Sequence, residues 1–367
     1  MNIIIYGTNH NNTLGLVRSC GEKGHRVTLL LKKGKIDYVD KSRYIKKCIY
    51  LTPNTDVIAT IKEVASLSAE KPILFSAGDA EATLVDAHIE ELRPHVILEG
   101  GLENNAINKY RDKEKSNKLA QQIGFNLPKT WIVEDSQQLP KEKIFPIIVK
   151  ANNSTQGGKA IQRICHNQIE LSEQLNNIPS NNYPIQIQEF IDKEFEIMLQ
   201  GCAMNHGERI FCRVANRKVR FYPHVYSAGS YSYSINIEDD KGLMELREKV
   251  SIYLKEIHYQ GLFSAEFLFS KGKYYFLEVN LRNDGTAYLS TACGCNLANA
   301  FCNFIAANRI GIANYRPCTY MDARADFHHV RNGKVKFWTW LGQFLTAGCY
   351  SHFNWRDLRP FFYYILK

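Results

Sequence analysis

The sequence predicts a protein of α/β and α+β class, with an open parallel α/β domain first, two α+β subdomains next and an aromatic-rich C-terminal extension. Three segments predict this order. Residues 2–31 run as strand, loop, helix and strand, which is typical of the opening of a parallel sheet. Residues 261–285 read as two strands joined by a glycine-containing turn. Residues 313–367 carry three of the four tryptophans, interleaved with arginine and lysine.

The N-terminal domain is predicted from short apolar strands that alternate with helices. The chain lacks the GxGxxG motif after its first strand, because Gly7 and Gly15 are eight residues apart. A dinucleotide site is therefore not favoured, and the asparagine-rich loop between them is expected to line a substrate pocket. Asp79 follows a later strand, and we favour a helix cap over a ligand contact for it. The predicted elements are strands at 2–6, 26–31, 72–76 and 95–98, and helices at 13–23 and 80–92.

The second region begins near residue 110, with a helix from 112 that ends at Gly124. A buried strand at 145–150 ends in Lys150, whose ammonium can reach a phosphate. The alternative is an ordinary strand-end lysine in solvent. The following loop carries Gly157 and Gly158, with Lys159 at its tip, and backbone N–H groups of such loops can cover phosphates.

A strand at 185–191 leads into a segment that resembles a hinge between subdomains. Backbone groups there could hold adenine, and Glu194 or Glu196 could bind ribose. A strand at 210–214 is followed by three cations that would be costly to bury without anions, so they could hold a triphosphate or an acidic substrate. The alternative is a solvated edge strand. The cations are Arg217, Lys218 and Arg220, and a helix is predicted at 242–258.

The hairpin at 261–285 holds the candidate metal ligands and a candidate catalytic arginine. Glu266, Glu278 and Asn280 supply oxygen ligands suited to Mg²⁺, and Arg282 can stabilise charge on a phosphoryl group in transfer. A two-residue turn would put Glu266 on the wrong face. We therefore predict a three-residue loop or a bulge at Gly272, with positive φ at the glycine. The alternative is a plain amphipathic hairpin with exposed acids.

Composition narrows the class of protein. The 367 residues suffice for two or three domains, and the net charge of +9 favours anionic ligands or a membrane surface. The ten cysteines form neither a CxxC pair nor a regular framework, so reduced thiols in a cytoplasm are expected. We find no signal-peptide pattern and no apolar run of the roughly 18 residues that a transmembrane helix needs.

Together these motifs resemble the ATP-grasp superfamily across residues 112–310, and more finely its D-aspartate-ligase-like carboxylate–amine ligases. The finer resemblance rests on GLVRSCGEKGHRV, LFSAGDAE, DKEKSNKLAQQIGFNLPKT and RKVRFYP. It implies ATP and Mg²⁺ as cofactors, with Mn²⁺ as the alternative metal. The implied nucleotide-binding residues are Lys113, Lys150, Gly157, Gly158, Glu189, Phe190, Ile191 and Glu194. The implied metal ligands are Glu266, Glu278 and Asn280, and the implied catalytic residues are Arg282, Lys159 and Arg217.

Two departures from the family pattern are visible: Leu281 replaces the usual proline after Asn280, and Ala160 stands where glycine is frequent. Neither removes a ligand. The implied reaction phosphorylates a carboxylate, since a carboxylate is a poor electrophile, and an amine then attacks the acyl phosphate. The sequence does not identify a general base; His224 is a candidate, but a structural role is favoured for it.

The implied organisation has four parts: an N-terminal domain at 1–111, a small subdomain at 112–188, a large subdomain at 189–312 and the extension at 313–367. The expected partners are a small-molecule carboxylate and an amine, one of them acidic or phosphorylated, such as aspartate or a nucleotide-linked sugar acid, and no nucleic acid. Acceptor specificity is expected in residues 7–13, Asp79, 217–236 and 283–291.

The C-terminal extension has two interpretations. Its aromatics could anchor the protein peripherally at the inner face of a membrane, or pack on the body or on a second subunit, a homodimer being the common default. Two other functions stay open: another acyl-phosphate or carboxyphosphate reaction such as carboxylation, and nucleotide binding without turnover. A nicotinamide-dependent oxidoreductase is the least favoured alternative.

Overall fold

The computed structural model describes residues 1–34, 37–135, 144–152, 161–223, 228–311 and 313–365. The chain forms two compact units. Unit 1 consists of residues 1–107, 197–265 and 279–367, and unit 2 of residues 108–196 and 266–278. The predicted fold class is confirmed: a parallel five-stranded N-terminal sheet is followed by antiparallel sheets and an aromatic cluster near the C-terminus.

The N-terminal part of unit 1 is a parallel sheet buried on both faces. The apolar residues of the first strand alternate between two cores, with Ile3 and Ile5 in one and Ile4 and Tyr6 in the other. The strands are β1 (Asn2–Thr8), β2 (Arg26–Lys32), β3 (Ile45–Leu51), β4 (Ile73–Ser76) and β5 (Ile97–Leu98). Their order is β3-β2-β1-β4-β5. The helices are α1 (Asn11–Gly21), α2 (Val57–Ser66), α3 (Asp79–Asp86) and α4 (Ile89–Leu92).

Two features of the helices that pack on this sheet differ from the sequence prediction. The single helix expected at 80–92 is divided into α3 and α4, because His88 leaves the helical region at φ −126° and ψ 28°. The cap expected at Asp79 is also wrong. Gly78 is the N-cap of α3, and Asp79 is the first helical residue, with its carboxylate bound to Arg282.

Unit 2 contains a four-stranded sheet built from β6 (Thr130–Val133), β7 (Ile147–Ala151), β8 (Arg163–Cys165) and β9 (Ile185–Glu189), in the order β6-β9-β7-β8. Its helices are α5 (Lys113–Ile123) and α6 (Gln168–Asn176). Helix α5 begins and ends as its sequence predicts. Asp112 accepts hydrogen bonds from the amides of Glu114 and Lys115, and Gly124 closes the helix at φ 88°.

The largest sheet has seven strands: β10 (Phe195–Met204), β11 (Arg209–Tyr222), β12 (Ala228–Asn236), β13 (Gly261–Ser270), β14 (Lys273–Asn280), β15 (Thr319–Met321) and β16 (Cys349–Tyr350). Their order is β14-β13-β10-β11-β12-β15-β16. The chain passes between the units within β10, β13 and β14. Helices α7 (Lys241–Glu256), α8 (Tyr288–Ala292) and α9 (Leu297–Ala307) connect these strands or follow them. Strand β11 is longer than predicted and includes all three cations of the basic cluster.

The C-terminal segment adds helices α10 (Ala323–Arg331), α11 (Phe337–Thr346) and α12 (Arg359–Ile365) to unit 1. A fully buried ion pair ties it to α1. Arg18 Nε lies 3.0 Å from Asp357 Oδ2, and a terminal nitrogen of Arg18 donates to the carbonyl of His352 at 2.7 Å. The segment therefore packs on the body of unit 1, as one of the two interpretations expected.

The imidazole of His352 should make folding sensitive to acid. Burial, assisted by the nearby Arg18, lowers its pKa to about 3, and its ring stacks on Tyr364 with centroids 3.6 Å apart. Below the ordinary histidine pKa of about 6.5, His352 binds a proton in the unfolded chain but stays neutral in the folded chain. We expect the free energy of unfolding to fall by about 2 kcal/mol between pH 7 and pH 5 from this group. Thermal unfolding at several pH values measures it. His352→Gln should flatten the profile, whereas His95→Gln at an exposed position should leave it unchanged.

Candidate nucleotide and metal site

A cationic cluster lies in unit 2, at the residues predicted to hold phosphates. Lys150 lies on β7, and its Nζ donates to Gln188 Oε1 of the neighbouring strand β9 at 2.9 Å. Burial and repulsion from the Lys113 ammonium lower the pKa of Lys150 to about 7, while attraction from Glu278 acts in the opposite direction. Two ammonium groups close enough to repel one another form a site that an anion would stabilise.

The loop predicted to cover phosphates, with Gly157, Gly158 and Lys159, lies outside the described residues, and so does the base candidate His224. The strand that leads into the loop is described. Asn152 there accepts a hydrogen bond from Gln186 Nε2 at 3.0 Å, and both side chains are buried. Polar side chains thus continue along β7 and β9 beyond Lys150.

The predicted adenine segment follows β9. Its first two amides are already used, since Glu189 N–H donates to the Lys129 carbonyl at 2.8 Å and Phe190 N–H donates to Pro146 at 3.2 Å. Ile191 is buried. Adenine recognition in this segment would therefore depend on Ile191 and on carbonyl oxygens rather than on the amides of Glu189 and Phe190.

The two ribose candidates differ in their surroundings. Glu196 is buried and forms an ion pair with Lys193 at 2.9 Å. Glu194 is exposed, but its Oε1 accepts the amide of Lys271 at 2.8 Å, and its own amide donates to Phe269. Glu194 therefore stabilises the turn between β13 and β14, where Lys271 has a φ of 49°. Because Glu196 is paired with Lys193, Glu194 is the better ribose candidate of the two, and it would bind ribose through its second carboxylate oxygen.

The turn of the metal-site hairpin differs from the prediction. Two residues, Lys271 and Gly272, separate β13 from β14, so the predicted three-residue loop is wrong. The predicted positive φ at Gly272 is confirmed at 75°. With both residues left-handed, the turn has the geometry that matches strand twist in a two-residue hairpin.

The register of the hairpin shifts further along. Phe267 and Phe276 are in edge contact, with ring centroids 5.9 Å apart, as the two-residue turn requires. Asn280 Nδ2 lies 3.4 Å from Ser264 Oγ, which is a pairing displaced by one residue. In a strictly regular two-residue hairpin Asn280 would lie on the opposite face from Ser264, so this side-chain contact departs from the regular register.

The metal-ligand candidates are Glu266, Glu278 and Asn280. All three side chains are partly accessible. The part of the chain that the structure describes holds no group of three His, Cys, Asp or Glu side chains suited to a metal. Two carboxylates and an amide oxygen nevertheless fit Mg²⁺, which keeps water and phosphate oxygens in its shell and needs few protein ligands.

Arg282 is held in a fixed orientation within unit 1. Its Nε and one terminal nitrogen contact the two oxygens of Asp79 at 2.9 Å each, and the same terminal nitrogen lies 3.2 Å from Asn280 Oδ1. Its other terminal nitrogen donates to the Asn283 carbonyl at 3.0 Å. The guanidinium fork is thus pre-organised by a bidentate carboxylate, and the amide of Asn280 is oriented with it.

Sequence reasoning missed a polar network beside Arg282. Gln200 and Asn216, both fully buried, donate to Thr286 Oγ1 at 2.9 Å each, and Asp284 Oδ1 accepts from the same hydroxyl at 2.7 Å. The one available signal was a glutamine inside the apolar run of β10. The network fixes residues 283–286, which were expected to contribute to acceptor specificity.

One cation of the basic cluster on β11 is paired with a carboxylate of the protein itself. Arg220, which was expected to meet a triphosphate or an acidic substrate, forms a bidentate pair with Asp326 at 2.8 and 2.7 Å. Arg217, the third predicted catalytic residue, lies over the ring of Tyr233 with its Cζ 5.7 Å from the centroid.

Comparison with known proteins identifies the family of this chain. Residues 112–309, more than half of the chain, match the model of the carbamoyl-phosphate synthase L chain, ATP-binding domain. The chain belongs to this family. It is therefore an ATP-grasp protein, and the coarse resemblance predicted from its motifs is confirmed.

Individual relatives of this ATP-grasp chain are distant. The D-aspartate ligase of Enterococcus faecium is 24% identical over 289 residues, covering 72% of this chain and 65% of the ligase. The carbamoyl phosphate synthase large chain of Saccharolobus islandicus is 21% identical over 285 residues, covering 70% of this chain. This chain spans only 26% of the synthase.

A solved structure shares the fold. An ADP complex of N5-carboxyaminoimidazole ribonucleotide synthetase matches with a TM-score of 0.69 at 14% identity, covering 90% of this chain and 84% of that one. Among the described residues no helix is long and apolar enough to cross a membrane.

Proposed function

We propose that this ATP-grasp protein is an ATP-dependent ligase that activates a carboxylate as an acyl phosphate and joins it to an amine, releasing ADP and phosphate. The observation that carries the proposal is the cluster of Lys150, Lys113 and Glu278 in unit 2. Its two cations suit polyphosphate, and its carboxylate suits the metal that accompanies polyphosphate.

Each side chain then has a defined task. Lys150 and Lys113 bind phosphate oxygens as point charges. Glu266, Glu278 and Asn280 would hold Mg²⁺, which neutralises charge on the phosphates when bound. Glu194 would accept from ribose through its second oxygen. Because Lys150 already donates to Gln188, it is oriented before nucleotide arrives.

Arg282 would stabilise the negative charge on the phosphoryl group during its transfer. In the first step an oxygen of the substrate carboxylate bonds to the γ-phosphorus, and the bond from that phosphorus to the bridging oxygen breaks, so that ADP leaves. In the second step the amine nitrogen bonds to the acyl carbon, the bond from that carbon to the phosphate oxygen breaks, and phosphate leaves with the proton that the nitrogen loses. A guanidinium fixed by Asp79 needs little reorganisation to stabilise the transferring phosphoryl group.

The D-aspartate ligase of Enterococcus faecium supports the carboxylate–amine reaction, since this chain aligns with 65% of that enzyme. Carboxylation through carboxyphosphate is the second candidate. It is supported by the fold shared with N5-carboxyaminoimidazole ribonucleotide synthetase. Substrate identity stays open between these classes, with an acidic amino acid as the first carboxylate or amine to test.

The test is ADP release from purified protein with Mg-ATP, measured against a matrix of carboxylates and amines with and without bicarbonate. We expect release that requires one acid and one amine together. ADP release that requires bicarbonate would indicate that the protein catalyses a carboxylation instead. ATP binding without ADP release in any well would contradict catalysis on free small molecules and favour a binding role.

A further inference from the structure

We propose that the C-terminal segment docks this protein onto the surface of a bilayer that contains anionic phospholipids. The docking surface is an aromatic face in unit 1 formed by exposed apolar side chains. It consists of Phe337, Trp338, Leu345, Trp355, Phe362 and Ile365. This proposal concerns a different region from the nucleotide site and does not depend on the proposed reaction.

A continuous ladder of rings supports the aromatic face from below. It runs from Trp340 through Phe344, Tyr350 and Phe353, and then branches to Trp355 and to Phe361 with Phe362. Successive ring centroids lie between 4.7 and 5.9 Å apart. Each exposed ring at an end of the ladder rests on a partly buried one, so α11, Trp355 and α12 are connected through one series of ring contacts.

Helix α11 has large apolar side chains on its outer side as well as on its inner side. Its inner side is formed by Trp340, which stacks on Phe344 and meets Phe327 of α10 at 5.0 Å. Its outer side exposes 78% of Trp338 and 70% of Leu345, seven residues apart and thus on one stripe. Thr339 and Thr346 are exposed beside this stripe, but the helix sequence FWTWLGQFLT has no charged residue, as a helix that only covered a core would be expected to have. An apolar outer stripe of this kind marks an interaction surface.

The charges around the aromatic face identify the partner. The cations nearest to it in sequence are exposed: Arg331, Lys334, Lys336, Arg356 and Arg359. The three aspartates of residues 313–367 are engaged within the protein instead. Asp326 is buried against Arg220, Asp357 is buried against Arg18, and Asp322 caps α10. Exposed aromatic side chains with exposed cations beside them in sequence, and with the aspartates of the same segment engaged elsewhere, complement anionic headgroups above an apolar layer.

A second copy of the chain fits the same face less well. In a two-fold interface the same patch lies opposite itself, so the exposed lysines and arginines would meet those of the partner. The mode of contact is peripheral, because α11 has only ten residues and Pro360 lies at the start of α12. Tryptophan and lysine are both suited to the headgroup region.

The experiment is sedimentation of the full chain with sucrose-loaded vesicles, made either of equal parts phosphatidylglycerol and phosphatidylcholine or of phosphatidylcholine alone. We expect binding to the anionic vesicles, weakened as ionic strength rises from about 0.05 to about 0.5 M. Tryptophan emission should shift to shorter wavelength on binding. The double variant W338S/L345S should lower partitioning about tenfold or more.

The chain offers matched controls. Leu67 is as exposed as Leu345, at 70%, and lies far along the sequence in the loop after α2, so L67S should bind as the unaltered protein does. K334E/K336E should weaken binding, whereas K241E/K255E on exposed positions of α7 should retain it. Thermal unfolding confirms that each variant is folded.

Three outcomes would overturn the proposal. One is equal partitioning to the two vesicle types. Another is a loss in L67S as large as that in W338S/L345S. The third is a dimer in analytical ultracentrifugation that W338S/L345S dissociates while no vesicle binding is seen, which would assign the face to contact between copies.

Discussion

Replacing Glu278 by glutamine should lower ADP release about a thousandfold, with the fold and thermal stability retained. Glutamine keeps the shape of the side chain but removes a full negative charge from a candidate set with only two carboxylates. Metal stabilisation of the transferring phosphoryl group contributes several kcal/mol, and about 4 kcal/mol corresponds to a thousandfold change in rate. The measurement is the steady-state rate of ADP formation with the substrate pair found in the matrix experiment.

The matched control is Glu256→Gln, an identical change at an exposed position of α7. It should keep full activity. Titration with Mn²⁺ adds a second readout, since Mn²⁺ and Mg²⁺ share oxygen ligands and a weakened metal site should show a changed metal preference. Unchanged ADP release in Glu278→Gln would remove Glu278 from the metal site and leave it as a neighbour of Lys150 alone.

The parts of the fold that follow from local signals could be predicted from the sequence. Helix α5 has a capping aspartate at one end and a glycine at the other, and both lie next to the helix they limit. The glycine-containing turn and the positive φ at Gly272 could also be predicted. The two-residue length of the turn could not, because it depends on how the two strands pair.

Contacts between distant parts of the chain could not be predicted. Asp79 was assigned to a cap because its local sequence favours one, while its actual partner, Arg282, lies 203 residues away. Arg220 was expected to meet a substrate anion, but Asp326 lies 106 residues later. For Arg220 the sequence indicated a charge that needs a partner, and only the tertiary structure identified Asp326 as that partner.

The buried pair of Arg18 and Asp357 should give the largest stability effect. Asp357→Ala is expected to destabilise the protein by about 3–5 kcal/mol, because it leaves the guanidinium of Arg18 buried without its carboxylate. The carboxylate also accepts from Ser42 Oγ at 2.8 Å and from the Arg43 amide at 2.9 Å, so three donors lose their acceptor. Chemical denaturation followed by circular dichroism measures the change.

A double variant separates the cost of an unpaired charge from the loss of packing. Arg18→Met with Asp357→Leu removes both charges and keeps apolar volume, so it should recover much of the stability lost in Asp357→Ala. This recovery is expected because desolvation opposes the attraction between two charges that are fully buried. If Asp357→Ala unfolds at the same denaturant concentration as the unaltered protein, the C-terminal segment is not held on α1 by this pair, and its attachment depends on the packing of His352 and Tyr364 against Tyr38 instead.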